Sequence, residues 1–334
     1  MQPDKLPIPL VIRPILHDLG AIPAHAAMAR IVLNKIETFY FVLYRPSNKR
    51  ETVMNKPSKL VAISSAVLST FALTAAHAQQ AAPPAPEHTL ATKVSLYSEY
   101  EYRGISQTSE KPAVQLNLDY SHTSGFYLGA FLSNISWIKD TKSAVAQALP
   151  RSTIAVPVSL SGSAGGVELD LFGGYKFEIV KDITLDVGYL RYEYVGSDAL
   201  NVRIGNATAV ALAKPSTNEV YVGISGGPFS AKYSYSTGDT FGAVNSKGST
   251  FTEFNWSQEV LPKFTMNAQI ARQTFKNNSP LTYTVYKLGG TYDFGSGWNA
   301  GAYYKATNAI KASYTYLHHD WSENRLVAFV SKSF

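Results

Sequence analysis

From Thr89 to the end of the chain, apolar and polar positions alternate with a period of two. Val114, Leu116, Leu118 and Tyr120 interleave with Gln115, Asn117 and Asp119. Val167, Leu169, Leu171, Gly173, Tyr175 and Phe177 interleave with Glu168, Asp170 and Lys176, and Phe264, Met266, Ala268 and Ile270 with Thr265, Asn267 and Gln269. Successive side chains of a strand point to opposite faces, so each segment has one apolar and one strongly polar face. The pattern predicts twelve strands, near 90–102, 112–121, 126–137, 166–178, 183–195, 218–227, 229–237, 250–259, 263–275, 282–294, 297–307 and 323–334.

A soluble sandwich also alternates, and the connections separate the two. The breaks after even-numbered strands are short: His122-Thr123-Ser124-Gly125, Val180-Lys181-Asp182, Gly227-Pro228, Val260-Leu261-Pro262 and Gly295-Ser296. Those after odd-numbered strands are mostly longer, at 103–111, 138–165, 196–217, 238–249, 276–281 and 308–322. This rhythm predicts an all-β fold, a transmembrane antiparallel up-and-down β-barrel of about 12 strands with short periplasmic turns and long extracellular loops. Aromatic residues such as Tyr120, Phe126, Trp137, Tyr175, Tyr192, Tyr194, Trp298 and Phe334 fall near strand ends, as interfacial girdles do, although strands are rich in aromatics in any case.

Ahead of the barrel, Met54-Asn55-Lys56-Pro57-Ser58-Lys59, an apolar run from Leu60 to Leu73 and Ala76-His77-Ala78 have the three parts of a cleavable signal peptide over 54–78. Residues 1–53 are then expected to be an upstream extension from a mis-assigned start, and 79–88 an Ala/Pro-rich linker leading into a barrel over 89–334. This division changes the meaning of the charge. Of the 30 basic and 24 acidic residues, 21 and 20 follow Ala78, so the net charge of +6 falls to +1 in the body. That balance gives no reason to expect a nucleic-acid partner. The apolar run, about fourteen residues, is short of the roughly twenty a membrane-spanning helix needs. There is no cysteine, which removes disulfides, thiol nucleophiles and cysteine metal sites.

The run Tyr100-Glu101-Tyr102-Arg103-Gly104-Ile105-Ser106-Gln107, with Gly125-Phe126-Tyr127-Leu128-Gly129 and Ser133-Asn134-Ile135-Ser136-Trp137, resembles the proteobacterial family called TorF-type porins, or Gcw_chp proteins. Val167-Glu168-Leu169-Asp170, Gly174-Tyr175 and Val220-Tyr221-Val222-Gly223 extend the resemblance over residues 90–334. It implies a bacterial outer-membrane barrel of the porin type and supplies no substrate.

If the polar face lines a lumen, the candidate pore-lining charges are Lys93, Glu99, Glu101, Arg103, Asp119, Glu168, Asp170, Lys176, Asp186, Arg191, Lys232, Glu253, Lys305 and Arg325. Both signs are equally represented, which favours small polar solutes over strong ion selectivity. The alternative is that the charges pair across the interior, or that an infolded loop narrows it. Arg103 could bind a carboxylate or phosphate of a solute bidentately, or pair with Glu99, Glu101 or Glu168 and fix the loop. His318-His319-Asp320 with Ser322 and Asn324 is the one cluster a barrel phospholipase could use, but adjacent loop residues seldom give triad geometry. No catalytic residue, metal or cofactor is expected. The partners expected are outer-membrane lipid, small polar solutes and the barrel-assembly machinery, for which the final Phe334 is read as the C-terminal signal.

Overall fold

The computed structural model describes residues 86–149 and 156–334. The expected signal peptide, the segment 1–53 and most of the linker lie outside the described residues. In chain order the elements are β1 (His88–Tyr97), β2 (Glu101–Tyr102), β3 (Ile105–Ser106), β4 (Ala113–His122), β5 (Phe126–Asn134), α1 (Trp137–Ala148), β6 (Val158–Ser161), β7 (Val167–Val180) and β8 (Ile183–Val195). They continue with β9 (Leu200–Ile204), β10 (Ala207–Leu212), β11 (Thr217–Gly226), β12 (Phe229–Ser236), β13 (Thr250–Leu261), β14 (Phe264–Thr274), β15 (Tyr283–Gly295), β16 (Trp298–Thr307), α2 (Lys311–Tyr314), β17 (Thr315–Tyr316), β18 (His319–Asp320) and β19 (Arg325–Ser333).

Twelve of these strands close an antiparallel barrel in the order β1-β19-β16-β15-β14-β13-β12-β11-β8-β7-β5-β4. Closure is made by β1, which pairs with β4 along its whole length (His88↔His122 to Tyr97↔Ala113) and with β19 from Lys93↔Ser333 to Tyr97↔Phe329. A closed sheet leaves no unpaired edge, which is what allows strands to sit in lipid. The outer face carries the apolar members of the alternation, among them Leu90, Val114, Leu171, Phe254 and Leu326, the last 64% exposed. An apolar outer wall around a polar interior is the arrangement of a membrane-spanning barrel. No helix among the described residues is long and apolar enough to cross a membrane.

The strand boundaries agree with the alternation to within about two residues on the turn side, and the larger departures are on the loop side. The first predicted strand ends early, at Tyr97, and the chain turns inward to form the β2-β3 hairpin. The third predicted strand ends at Asn134, and residues expected in a loop form α1, with Trp137 at its start. Trp137, Ile138, Thr141, Ala144 and Val145 of this helix are buried. Trp137 is therefore not an outer girdle residue: its ring packs edge-on against Tyr194, with centroids 5.2 Å apart. Tyr192 and Tyr194 have inward parity and are likewise buried, so they also leave the girdle. The long loops add a second, smaller sheet in the order β10-β9-β6.

Candidate functional site

The notable site is the loop-side half of the lumen, which the β2-β3 hairpin enters. Its two turn residues, Arg103 (φ 50) and Gly104 (φ 86), both lie in the left-handed region, as a type I′ turn between right-twisted strands requires. Glycine meets this requirement at no cost and packs closely here. A Cβ on Gly104 would lie 2.7 Å from Thr307 Cγ2 and 2.9 Å from Val285 Cγ2, so the hairpin tip is pressed against the β15 and β16 wall.

Arg103 crosses to the other side of the lumen. Its Nη1 donates to Glu219 Oε1 and Gln273 Oε1, both at 2.9 Å, and its Nη2 donates to Glu219 Oε2 at 2.7 Å and the Tyr192 hydroxyl at 3.1 Å. The planar guanidinium matches the carboxylate as a bidentate fork. The Phe251 ring lies 4.2 Å below it and Tyr102 lies at 5.1 Å, adding cation–π attraction in a desolvated setting. The group is 7% exposed. Arg103 thus does fix the loop by an ion pair, but with Glu219 rather than Glu99, Glu101 or Glu168. The tip reaches across the bore, and the flanking acids serve other contacts.

Glu101 accepts from the Gly104 amide and pairs with Lys287 Nζ at 2.6 Å. Glu99 accepts from the Ser106 hydroxyl at 2.9 Å. Lys305, fully buried, donates to the Gly104 carbonyl at 3.0 Å and the Trp321 carbonyl at 3.2 Å. Glu168, also fully buried, accepts from the Tyr100 hydroxyl at 3.0 Å. The segment Glu99 to Ser106 is therefore held by charged and hydroxyl groups of the barrel wall on several sides. Glu99, Glu101 and Arg103 lie on this infolded segment rather than on a barrel strand.

The remaining candidates divide by position. Glu168, Asp170, Glu253 and Lys305 have inward parity and are buried on the loop side. Lys93, Asp119, Lys176 and Asp186 also face the lumen but nearer the turns, where they stay partly accessible. There Asp186 accepts from the Tyr127 hydroxyl at 2.6 Å, and Lys176 Nζ stands 4.8 Å from the Tyr127 ring. Lys232 and Glu253 pair across β12 and β13 at 3.1 Å. Arg325 opens β19 at the loop-side mouth and binds Glu110 at 2.7 Å. This contact holds the Glu110 carboxyl below its ordinary value, Arg325 being the main cause.

Arg191 is a correction. It shares parity with Val187, Tyr189 and Val195 of β8, all exposed on the outer wall, while Tyr192 and Tyr194 take the inward positions. There it pairs with Glu193 and donates to Asn218 Oδ1 at 2.9 Å. Conversely, Glu219, Gln273 and Lys287, which bind the hairpin, are missing from the sequence-based set. Their parity marks them: Glu219 lies next to outward Val220, and Lys287 lies between outward Tyr286 and Leu288.

The His318–Asn324 cluster is spread over separate partners. The Ser322 hydroxyl donates to Asp320 at 2.6 Å, His319 Nδ1 stands 3.8 Å from Glu110, and Asn324 Oδ1 accepts from the Thr307 amide at 3.0 Å.

Residues 80–334 match the family described as "Bacterial protein of unknown function (Gcw_chp)". A comparison with curated proteins returns no match. Among solved structures, the chain is similar to the NanC porin (TM-score 0.43, 12% identity, covering 74% of this chain and 99% of that one). It is also similar to the KdgM porin (TM-score 0.40, 7% identity, 73% and 98%) and to a TodX mutant described as a monoaromatic hydrocarbon channel (TM-score 0.39, 11% identity, 74% and 89%).

Proposed function

The chain belongs to the Gcw_chp family, and we propose that it is an outer-membrane channel of the porin type, kept constricted by its own first loop and passing small polar solutes by diffusion when that loop yields. The observation that carries this reading is the bidentate Arg103–Glu219 pair, which holds an infolded hairpin across a lumen whose turn-side half is solvated. The partly accessible Lys93, Asp119, Lys176 and Asp186 present both signs of charge, which suits polar and zwitterionic solutes more than a single ion. The Tyr100–Gln107 motif gives the TorF-type resemblance a physical content, since its residues build the constriction. A signal peptide over 54–78, as read from the sequence, would carry the chain across the inner membrane on its way to the outer one. There Phe334, exposed on the outer wall at the turn side, would serve the assembly machinery, and the apolar band would face lipid.

A second reading, a non-conducting structural, adhesive or envelope-assembly barrel, is favoured by one observation: the Arg103–Glu219 and Glu101–Lys287 ion pairs that hold the hairpin are both buried. Planar-bilayer recording separates the two. Wild type should give small, infrequent conductance steps, and Arg103→Ala should make them larger or more frequent. If neither protein conducts in a preparation shown to be folded, the non-conducting reading replaces the channel.

A further inference from the structure

At the turn-side rim, far from the hairpin, three metal-ligating side chains converge. His88 opens β1 and His122 closes β4, and the two are direct cross-strand partners. Such partners point to the same side of the sheet with Cβ atoms about 5 Å apart. Here the side is the outer one, because His88 shares parity with Leu90, 72% exposed. The imidazole centroids are 5.0 Å apart. Glu87, immediately before β1, completes the group. One ligand atom from each of Glu87, His88 and His122 lies within 4.8 Å of the other two.

The surroundings orient both rings. His88 Nδ1 is 2.9 Å from the Tyr120 hydroxyl, and His122 Nδ1 is 2.7 Å from the Ser124 hydroxyl. On His122, Nδ1 also accepts from the Ser124 backbone amide at 3.1 Å, so in the metal-free protein Nε2 carries that ring's proton. Binding a metal through Nε2 requires the other tautomer, with Nδ1 donating to the Ser124 hydroxyl. This Nε2 already faces Glu87 Oε1 at 3.2 Å. Metal-binding histidines commonly have the second ring nitrogen engaged by a hydrogen-bond partner, which orients the ring. A tetrahedral metal at about 2.1 Å from nitrogen and oxygen holds its ligands roughly 3.4 Å apart. The three groups need only a small closing movement, which exposed side chains at a rim can make.

We infer that Glu87, His88 and His122 form a binding site for a divalent transition-metal ion of the zinc class, with two imidazoles and one carboxylate as ligands and water in the open position. Imidazole donors suit zinc and copper rather than magnesium or calcium, which prefer all-oxygen sets. A bound ion ties the residue preceding β1 to the end of β4, so it fastens the entry of the chain into the barrel. No part of the lumen is involved, and the inference does not depend on the channel reading.

The test uses the folded protein in detergent, carrying no affinity-tag histidines, titrated with zinc chloride by calorimetry. Folding is checked by heat-modifiable migration on gels. One equivalent should bind saturably, with proton competition weakening it as pH falls. His88→Ala and His122→Ala should each weaken binding more than about tenfold, and Ser124→Ala, which removes an orienting group, by about 10-fold. The His318→Ala/His319→Ala double variant, at the opposite end, should bind as wild type does. Copper(II) added to wild type should show nitrogen hyperfine coupling from two imidazoles by electron paramagnetic resonance, a readout that needs no variant to fold. Absence of saturable zinc binding, or binding that survives both His88→Ala and His122→Ala, overturns the site. So does a copper spectrum with no nitrogen coupling.

Discussion

At the scale of the residue, Arg103 combines a strained backbone with a satisfied side chain. A non-glycine residue held at positive φ costs about 1–3 kcal/mol, and here the bidentate pair with Glu219, the bonds to Gln273 and Tyr192 and the Phe251 ring offset it. Removing one partner of a buried ion pair leaves the other uncompensated, at about 3–5 kcal/mol. Arg103→Ala and Glu219→Ala should therefore each destabilise the barrel by about that amount, measured by denaturant unfolding in detergent. The double variant should cost less than the sum, because the two act as a unit. Gly104→Ala should cost about 1–3 kcal/mol through overpacking against Val285 and Thr307. A Val285→Ala partner change that recovers part of the loss would identify the clash. Arg191 shows the other side of residue-level reading. Its charge suggested the lumen, but its parity with Tyr189 and Val195 places it on the outer wall, where Glu193 balances it.

At the scale of the element, the barrel strands follow from alternation, and the loop elements follow from what the hairpin leaves uncovered. Helix α1 lays Trp137, Ile138, Ala144 and Val145 onto the loop-side interior. Its first turn is fixed by Asp140, which accepts from the Ser136 hydroxyl at 2.7 Å and the Ser109 hydroxyl at 2.6 Å. Ser109 also accepts from Trp321 Nε1 at 2.9 Å, so this helix, the first loop and the last loop share one contact. Trp137→Ala should cost about 3–5 kcal/mol. It should also increase protease cleavage within 137–149 while leaving heat-modifiable migration of the barrel intact.

The Glu110–Arg325 contact, by which the first loop grips the last strand, gives a pH dependence. The Glu110 carboxyl is held below its ordinary value by Arg325. Its contribution is therefore complete above the unfolded value of about 4.3 and is lost as pH falls through the lower folded value. Being partly exposed, the pair contributes at most about 1 kcal/mol. Unfolding curves of wild type and Glu110→Gln should differ at neutral pH and converge below about pH 4.

At the scale of the whole molecule, the sheet closes without an edge and the interior is filled from one end. The lipid-facing wall and the internal plug are separable, because the twelve strands pair with one another and not through the hairpin. Replacing residues 99–107 by a short Gly/Ser link should leave a folded, heat-modifiable barrel and raise its conductance above that of wild type. Loss of the barrel would show that the hairpin is part of the fold rather than its constriction. The strand count, the two faces, the side on which the long loops lie and most strand boundaries were legible in the chain. A period of two is a local property that each segment carries by itself. The hairpin's inward path was not legible. Tyr100–Gln107 reads equally well as the end of a strand, and its direction depends on Glu219 and Gln273, 116 and 170 residues further along from Arg103. The Glu87, His88 and His122 cluster was hidden for the same reason, since the register of β1 on β4 sets it. Sequence by itself determined that each strand has an apolar and a polar face, while the faces taken by Arg191, Tyr192 and Tyr194 were read correctly only from the structure. Only the closed barrel decided which inward charges meet, because those encounters are set by the circumference of the sheet and not by neighbours along the chain.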